Sequence, residues 1–289
     1  MSRHNQGFTS LGRPLDEMRT RTGPTTGVDR VLSVMMPIYN EERTISIILG
    51  HVLDRPEVGE VIAVDDGSID RTWEILSEAA ERDPRVRPLR QPANAGKGEA
   101  LRRAVQEIRF PYALVQDADL EYDPRDYPAL LQPLLEGRAD VVFGVRGFLS
   151  HSAYSFWFVL GNKAVTLASN MLFDCYISDM ETGYKVLRSE LWRRLNLQGR
   201  RFDIEPDITA RILRLGYRIH EVPIRYHARS REDGKKLTWR DGMQALFTLV
   251  RLRVASESRL FGKDWDREYH SERHQELSQA HPLIAMNGD

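Results

Sequence analysis

Five apolar runs of strand length, the first four ending at polar clusters and the first three followed by stretches that read as helices, constrain this chain more than any single motif. Val31 to Ile38 reads as a buried strand, and Glu41 to about Leu53 as the helix after it. Glu60 to Val64 is a second strand, running into Asp65-Asp66-Gly67-Ser68-Ile69-Asp70 and a helix from about Arg71 to Arg82. A third strand lies near Val86 to Leu89, with a helix after Gly96-Lys97-Gly98. A fourth ends in Asp117-Ala118-Asp119-Leu120-Glu121, and Asp140 to Gly144 is a fifth. Strands separated by single helices predict an α/β fold with a mostly parallel central sheet flanked by helices, and ligands bound at the carboxyl ends of the strands. The polar clusters fall at those ends.

The acidic cluster implies a cation. Side chains alternate along a strand, so in extended geometry the carboxylates of Asp117, Asp119 and Glu121 share one face. Three bare carboxylates repel one another unless a hard divalent ion such as Mg2+ or Mn2+ sits between them, usually with nucleotide phosphates completing the shell. A polar loop after a buried strand is the plain alternative.

The other clusters also have two readings each. Asp66 to Ser68 is a turn and helix cap when taken alone. Gly96-Lys97-Gly98 suits close approach of the backbone to a phosphate, with Lys97 and the following helix N-terminus stabilising its charge. The spacing of a Walker P-loop is absent, which argues against an ordinary nucleoside triphosphatase.

Composition narrows the class. In 289 residues, 41% are hydrophobic, enough to fill a core, and 41 Lys and Arg against 42 Asp and Glu leave a formal net charge of -1. No global field draws the chain to nucleic acid, and none is expected as a partner. A lone cysteine, Cys175, excludes an internal disulfide, and no Cys/His spacing suggests zinc. No apolar run reaches the ~18 residues of a membrane span, and the N-terminus lacks a signal-peptide core. The expected location is the cytoplasm.

The ordered set Pro37-Ile38-Tyr39-Asn40-Glu41-Glu42, Val64-Asp65-Asp66-Gly67-Ser68-Ile69-Asp70-Arg71-Thr72, Asn94-Ala95-Gly96-Lys97-Gly98-Glu99-Ala100 and Gln116-Asp117-Ala118-Asp119 resembles family-2 inverting glycosyltransferases of the GT-A fold. Within them it is most similar to dolichyl- and polyprenyl-phosphate mannosyl- and glucosyltransferases. The resemblance continues through Ser178 to Lys185, Phe202-Asp203-Ile204-Glu205-Pro206, Glu221 to Ile224 and the segment 229–236, covering roughly residues 31 to 250. It implies a GT-A domain over 30–254, between a flexible segment 1–29 and a charged tail 255–289.

The resemblance further implies that Pro37, Tyr39 and Glu41 line the nucleoside pocket of a nucleotide-sugar donor. Asp66 would hydrogen-bond the base with Asp65 behind it, and Lys97 would face the donor. Asp117 and Asp119 would hold Mg2+ or Mn2+ on the diphosphate, with Glu121 as a third ligand. The donor would be GDP-mannose or UDP-glucose, and the acceptor polyprenyl phosphate.

The acceptor decides what else the site requires. A hydroxyl needs a general base, for which Asp179, Glu181, Asp203 and Glu205 are the candidates, whereas a lipid phosphate is already ionised and needs cations. Arg229 and Lys236 match the Arg and Lys of the lipid-phosphate enzymes, and Lys235 stands where several relatives have Ser. The alternatives are transfer to a saccharide or small-molecule hydroxyl, a nucleotidyltransferase releasing pyrophosphate, or a nucleotide-sugar sensor without turnover.

Tyr154 to Leu172 is aromatic and aliphatic, and Leu237 to Val254 interleaves Trp239, Met243, Leu246, Phe247 and Val250 with Arg240, Arg251 and Arg253. Such stretches suit peripheral contact at the inner face of a membrane. They suit packing on the protein's own core equally well. The histidines form no cluster, and oligomeric state is not legible.

Overall fold

Met35 and Met36 are neighbours on strand β1 (Leu32–Ile38), point to opposite faces, and are both fully buried. A strand buried on both sides needs helices over both faces of its sheet, which is the setting of parallel α/β proteins. The structure, a computed structural model, describes residues 30–147, 156–201, 203–228 and 239–262. The strands after β1 are β2 (Val58–Asp65), β3 (Val86–Arg90), β4 (Tyr112–Val115), β5 (Val141–Arg146), β6 (Lys185–Arg188) and β7 (Ile219–Ile224). Together they form a seven-stranded sheet in the order β3-β2-β1-β4-β6-β5-β7.

Strands β3, β2, β1 and β4 run parallel, as do β5 and β7. β6 lies antiparallel between β4 and β5. The sheet thus reverses beside β4, where the acidic cluster begins.

One face is covered by α1 (Ile45–Leu53), α2 (Thr72–Arg82) and α4 (Tyr127–Leu135), whose Ile48, Leu76 and Leu130 pack with Val34, Met36 and Ala63. The other carries α3 (Lys97–Gln106), α6 (Ser189–Arg194) and α7 (Ile204–Arg214), with Leu101, Trp192 and Ile208 against Met35, Ile62 and Val115. The expected strands and helices are all present. The first helix begins at Ile45 rather than Glu41, because loop 39–44 is tied sideways: the Glu41 amide donates to Thr72 Oγ1 (2.9 Å) and the Glu42 amide to Asp70 (3.2 Å).

A third cluster joins α5 (Phe156–Phe173), α8 (Trp239–Val254) and α9 (Glu257–Phe261) around Val165, Leu249, Leu252 and Leu260. Arg211, fully buried, pairs with Asp207 at 2.7 Å and donates to the Leu195 and Leu260 carbonyls. Packing therefore continues past residue 254, into the stretch expected to be tail.

Candidate active site

At the carboxyl ends of β1 and β2 the loops are stitched together by short polar side chains. The Asn40 amide donates to Ser68 Oγ (2.9 Å), and Asn40 Oδ1 accepts from the Ile69 amide (3.0 Å). Buried Asp65 accepts from the Ser68 amide, with Arg90 3.2 Å from its other oxygen. Buried Asp66 accepts from Gln91 Nε2 (2.8 Å) and from the Ala95 (2.9 Å) and Gly96 (2.8 Å) amides, so it orders the loop entering α3. Pro37 is partly buried at the β1 tip, Tyr39 stands 43% exposed, and Glu41 accepts the Thr44 hydroxyl (2.6 Å).

The glycines of Gly96-Lys97-Gly98 face protein where the sequence suggests phosphate. The Gly98 amide donates to the Arg200 carbonyl (2.9 Å), and a Cβ at Gly98 would lie 1.9 Å from the Gly199 carbonyl oxygen. Only glycine lets α3 meet loop 198–201 this closely.

The acidic cluster departs from expectation in its geometry. β4 stops at Val115, the chain turns and bends over 118–121, and Leu120 takes a left-handed backbone (φ 63°). Strand alternation therefore does not align the three carboxylates. Glu121 turns inward, buried, with Oε2 accepting the Tyr226 hydroxyl (2.6 Å). Among the described residues, no group of three acidic, His or Cys side chains could hold a metal ion. Asp119 Oδ1 accepts the Glu121 amide (3.1 Å), while Asp117 faces the α3 side.

Lys97 links that turn to α7. Its Nζ lies 2.8 Å from Asp117 Oδ1 and 3.0 Å from Glu205 Oε1, and Glu205 also pairs with buried Lys185. Burial works against the Lys97 charge, but Asp117 and Glu205 outweigh it and raise its pKa. Burial likewise opposes ionisation of Glu205, but Lys185 and Lys97 prevail and lower its pKa. Asp179 is gripped by both arms of Arg146 (2.7 Å each), which outweigh its burial and hold its pKa below the usual range.

Glu181 is the exception. Burial, then the nearby Glu205 charge, push its carboxyl up to about 7, against partial relief from Lys185 and Arg146. Among the described residues its buried Oε1 has no hydrogen-bond partner. Asp203 spends Oδ1 on the Arg200 and Arg201 amides (3.0 and 2.8 Å). The structure thus brings Lys97, Asp117, Asp179, Glu181 and Glu205 to one end of the sheet. Arg229, Lys235 and Lys236 lie outside the described residues.

Arg146, Lys185, Tyr122 and Gly183 belong to this assembly and were not assigned roles from sequence. The Gly183 amide donates to Tyr122 Oη (2.6 Å), and a Cβ at Gly183 would lie 2.8 Å from Asp117 Oδ2. Arg146 could have been found as the polar residue ending β5, by the rule that located the other clusters. Lys185 has no such signal, since its burial depends on Glu205 reaching it from α7.

The sheet order and the charged strand ends are those of a GT-A glycosyltransferase. The chain belongs to glycosyl transferase family 2, whose profile matches residues 33–193. It is 28% identical over 216 residues to the undecaprenyl-phosphate mannosyltransferase of Micrococcus luteus, spanning 71% of this chain and 87% of that protein. It is 30% identical over 207 residues to the polyprenol monophosphomannose synthase of Mycolicibacterium smegmatis, spanning 68% and 77%. Glucosyl-3-phosphoglycerate synthase from Mycobacterium tuberculosis, solved with Mn2+, uridine diphosphate and glucosyl-3-phosphoglycerate, superposes with a TM-score of 0.60 at 23% identity, covering 79% of this chain and 82% of that one.

Proposed function

We propose that this glycosyltransferase moves a hexose from GDP-mannose or UDP-glucose to polyprenyl phosphate, with inversion and with Mg2+ or Mn2+ bound. The observation that carries the lipid acceptor is a pair of apolar stripes facing solvent. On α5, Phe156, Leu160, Leu167 and Met171 are exposed at spacings of four and seven residues, which keep to one helix face; on α8, Met243, Phe247, Val250 and Val254 are exposed at three- to four-residue spacing. These helices pack through their opposite faces, around Val165 and Leu249. Phe247 is 69% and Met171 76% exposed, beside exposed Lys163, Arg251 and Arg253. Apolar stripes flanked by cations fit an anionic bilayer surface. Among the described residues no helix is long and apolar enough to cross a membrane, so access by surface contact matches the elements present.

A cleft of about 720 Å³ adjoins this face, its charged lining made of Arg200, Arg201 and Arg251 together with the carboxylates Glu99 and Asp203. Arg251 belongs both to the cleft and to α8, which supports passage of an anionic headgroup from the bilayer towards loop 94–99. Two of the relatives are named for undecaprenyl or polyprenol phosphate mannose transfer, which supports the same acceptor.

Asp117 and Asp119 suit a hard divalent ion: both offer carboxylate oxygens, and the missing side chain of Gly183 leaves room at Asp117 Oδ2. When bound, the ion would neutralise charge developing on the departing diphosphate. Lys97 would add a fixed positive charge on the same side, held in place by Glu205. Asp66 would shape the donor pocket through loop 94–96. A lipid phosphate attacks already ionised, so the locked states of Asp179 and Glu205 are no handicap. Transfer to a hydroxyl is the second reading, favoured by the raised pKa of Glu181, which suits a general base.

The test is organic extraction of label after incubation with each donor, undecaprenyl phosphate and Mn2+ or Mg2+. Label entering the organic phase only with both lipid and metal supports the proposal. Hydrolysis of the nucleotide sugar without a lipid product contradicts it.

A further inference from the structure

We propose that Glu181 binds the acceptor as a neutral acid, its carboxyl O–H donating a hydrogen bond to an oxygen of the acceptor phosphate; this rests on the lipid-phosphate reading above. Among the described residues Glu181 Oε1 is buried and has no hydrogen-bond partner. Among the described residues, the two cations acting on it, Arg146 and Lys185, are committed elsewhere. Arg146, from β5, grips Asp179 with both arms. Lys185, from β6, serves Glu205 and the carbonyls of Met180 and Thr182. Among the described residues, the charged groups acting most on Glu181 are Glu205 from α7, Lys185, Arg146, and Asp179 from its own loop.

The loop that carries Glu181 is held at both ends. Two residues on, the Gly183 amide is held by Tyr122, with the Gly183 backbone against Asp117 on the donor side. Asp179, at the other end, is fixed by Arg146. Glu181 therefore sits between two anchored residues, in a buried setting where an unmade hydrogen bond is costly.

The proton stays on Glu181 to about pH 7 through burial and the fixed charge of Glu205. An approaching phosphate is a second anion, so it strengthens proton retention and receives a charge-assisted O–H···O bond in return. No proton is transferred in the reaction. Above the pKa of the free enzyme, binding must be accompanied by proton uptake, and acceptor affinity falls by about tenfold per pH unit.

Glu181→Gln keeps a neutral donor and removes the titration. The acceptor phosphate titrates identically in both proteins, so the ratio of acceptor KM values, wild type over E181Q, isolates Glu181. With a short-chain isoprenyl phosphate, the ratio should be flat below about pH 6 and rise about tenfold per unit above pH 7. Glu181→Ala, which has no donor, should raise KM at acidic pH as well. Calorimetry of the same ligand binding to wild type, in two buffers of different ionisation enthalpy, should show proton uptake at alkaline pH, a readout independent of whether the variants fold.

A pH-independent ratio with no proton uptake overturns the inference while leaving the lipid acceptor standing. Loss of kcat by about a hundredfold in E181Q with KM unmoved assigns Glu181 as a general base and also overturns it. If wild type forms no lipid-linked sugar with either donor, the acceptor reading fails, and this inference falls with it.

Discussion

Lys97 holds its ammonium 2.8 Å from Asp117 Oδ1, joining the acidic turn after β4 to the first turn of α3. Its second carboxylate, Glu205 at 3.0 Å, extends the link to α7. Lys97→Met should cut transfer by about a hundredfold or more through loss of a cation beside the leaving group. It should also destabilise the fold by about 1–3 kcal/mol near neutral pH, because two carboxylates lose their shared counter-ion. Glu205 has a depressed folded pKa, so its contribution is present above the unfolded value of 4.5 and lost as pH falls below it. The gap between wild type and variant in urea denaturation should accordingly narrow on acidification.

Asp117→Asn and Asp119→Asn should abolish metal-dependent transfer while leaving circular dichroism spectra intact. Glu121→Gln should keep its metal response, since that carboxylate is directed at the Tyr226 hydroxyl, and should cost about 1 kcal/mol of stability. Titrating Mn2+ against activity for the three variants checks both halves. Equal loss of the metal response in all three would return Glu121 to the ligand set.

Gly183→Ala places a methyl 2.8 Å from Asp117 Oδ2 and 3.0 Å from the Tyr122 ring. Overpacking of this kind costs about 1–3 kcal/mol. Because the carboxylate must move, the apparent Mn2+ affinity should weaken more than the melting temperature falls. A melting loss without any change in metal dependence would separate Gly183 from the donor side.

Glu181 titrates with a folded value of about 7 against 4.5 when unfolded. A raised carboxyl pKa stabilises the fold below the unfolded value and loses that contribution as pH rises through the folded one. E181Q should therefore be more stable than wild type above pH 7, by about 1–3 kcal/mol. The difference should shrink below pH 4.5. Thermal melts of the two unliganded proteins across this range provide the check.

Phe247→Glu and Val250→Glu put charge on the exposed face of α8, away from its buried Leu249 and Leu252. Both variants should fold and bind nucleotide sugar. Co-sedimentation with anionic vesicles should fall by about tenfold or more, and wild-type binding should weaken with salt. Full vesicle binding by both variants would point to another role for this face.

Much of the fold was legible because parallel strands buried on both faces leave continuous apolar runs, as in Val31 to Ile38 and Glu60 to Val64. β6 was harder to read: Lys185-Val186-Leu187-Arg188 is short, carries charge at both ends, and pairs antiparallel with strands far away in sequence. At the site, strand-end clustering located Asp66, Lys97 and Asp117. It could not reveal that Asp66 spends its oxygens on loop 94–96, nor that the left-handed backbone of Leu120 breaks the alternation assumed for Glu121. Of four equivalent-looking carboxylates, only the tertiary pairing of Arg146, Lys97 and Lys185 distinguishes Asp179 and Glu205 from Glu181.

The central claim is that the hexose is delivered to a phosphate oxygen with inversion at its anomeric carbon. The most direct measurement is the linkage and anomeric configuration of the product, by mass spectrometry and nuclear magnetic resonance, from a reaction with nucleotide sugar, Mn2+ and a short-chain isoprenyl phosphate. The account predicts a sugar joined through its anomeric carbon to phosphate, with the configuration opposite to the donor's. A product carrying the sugar on a hydroxyl, or one that keeps the donor's configuration, would contradict it.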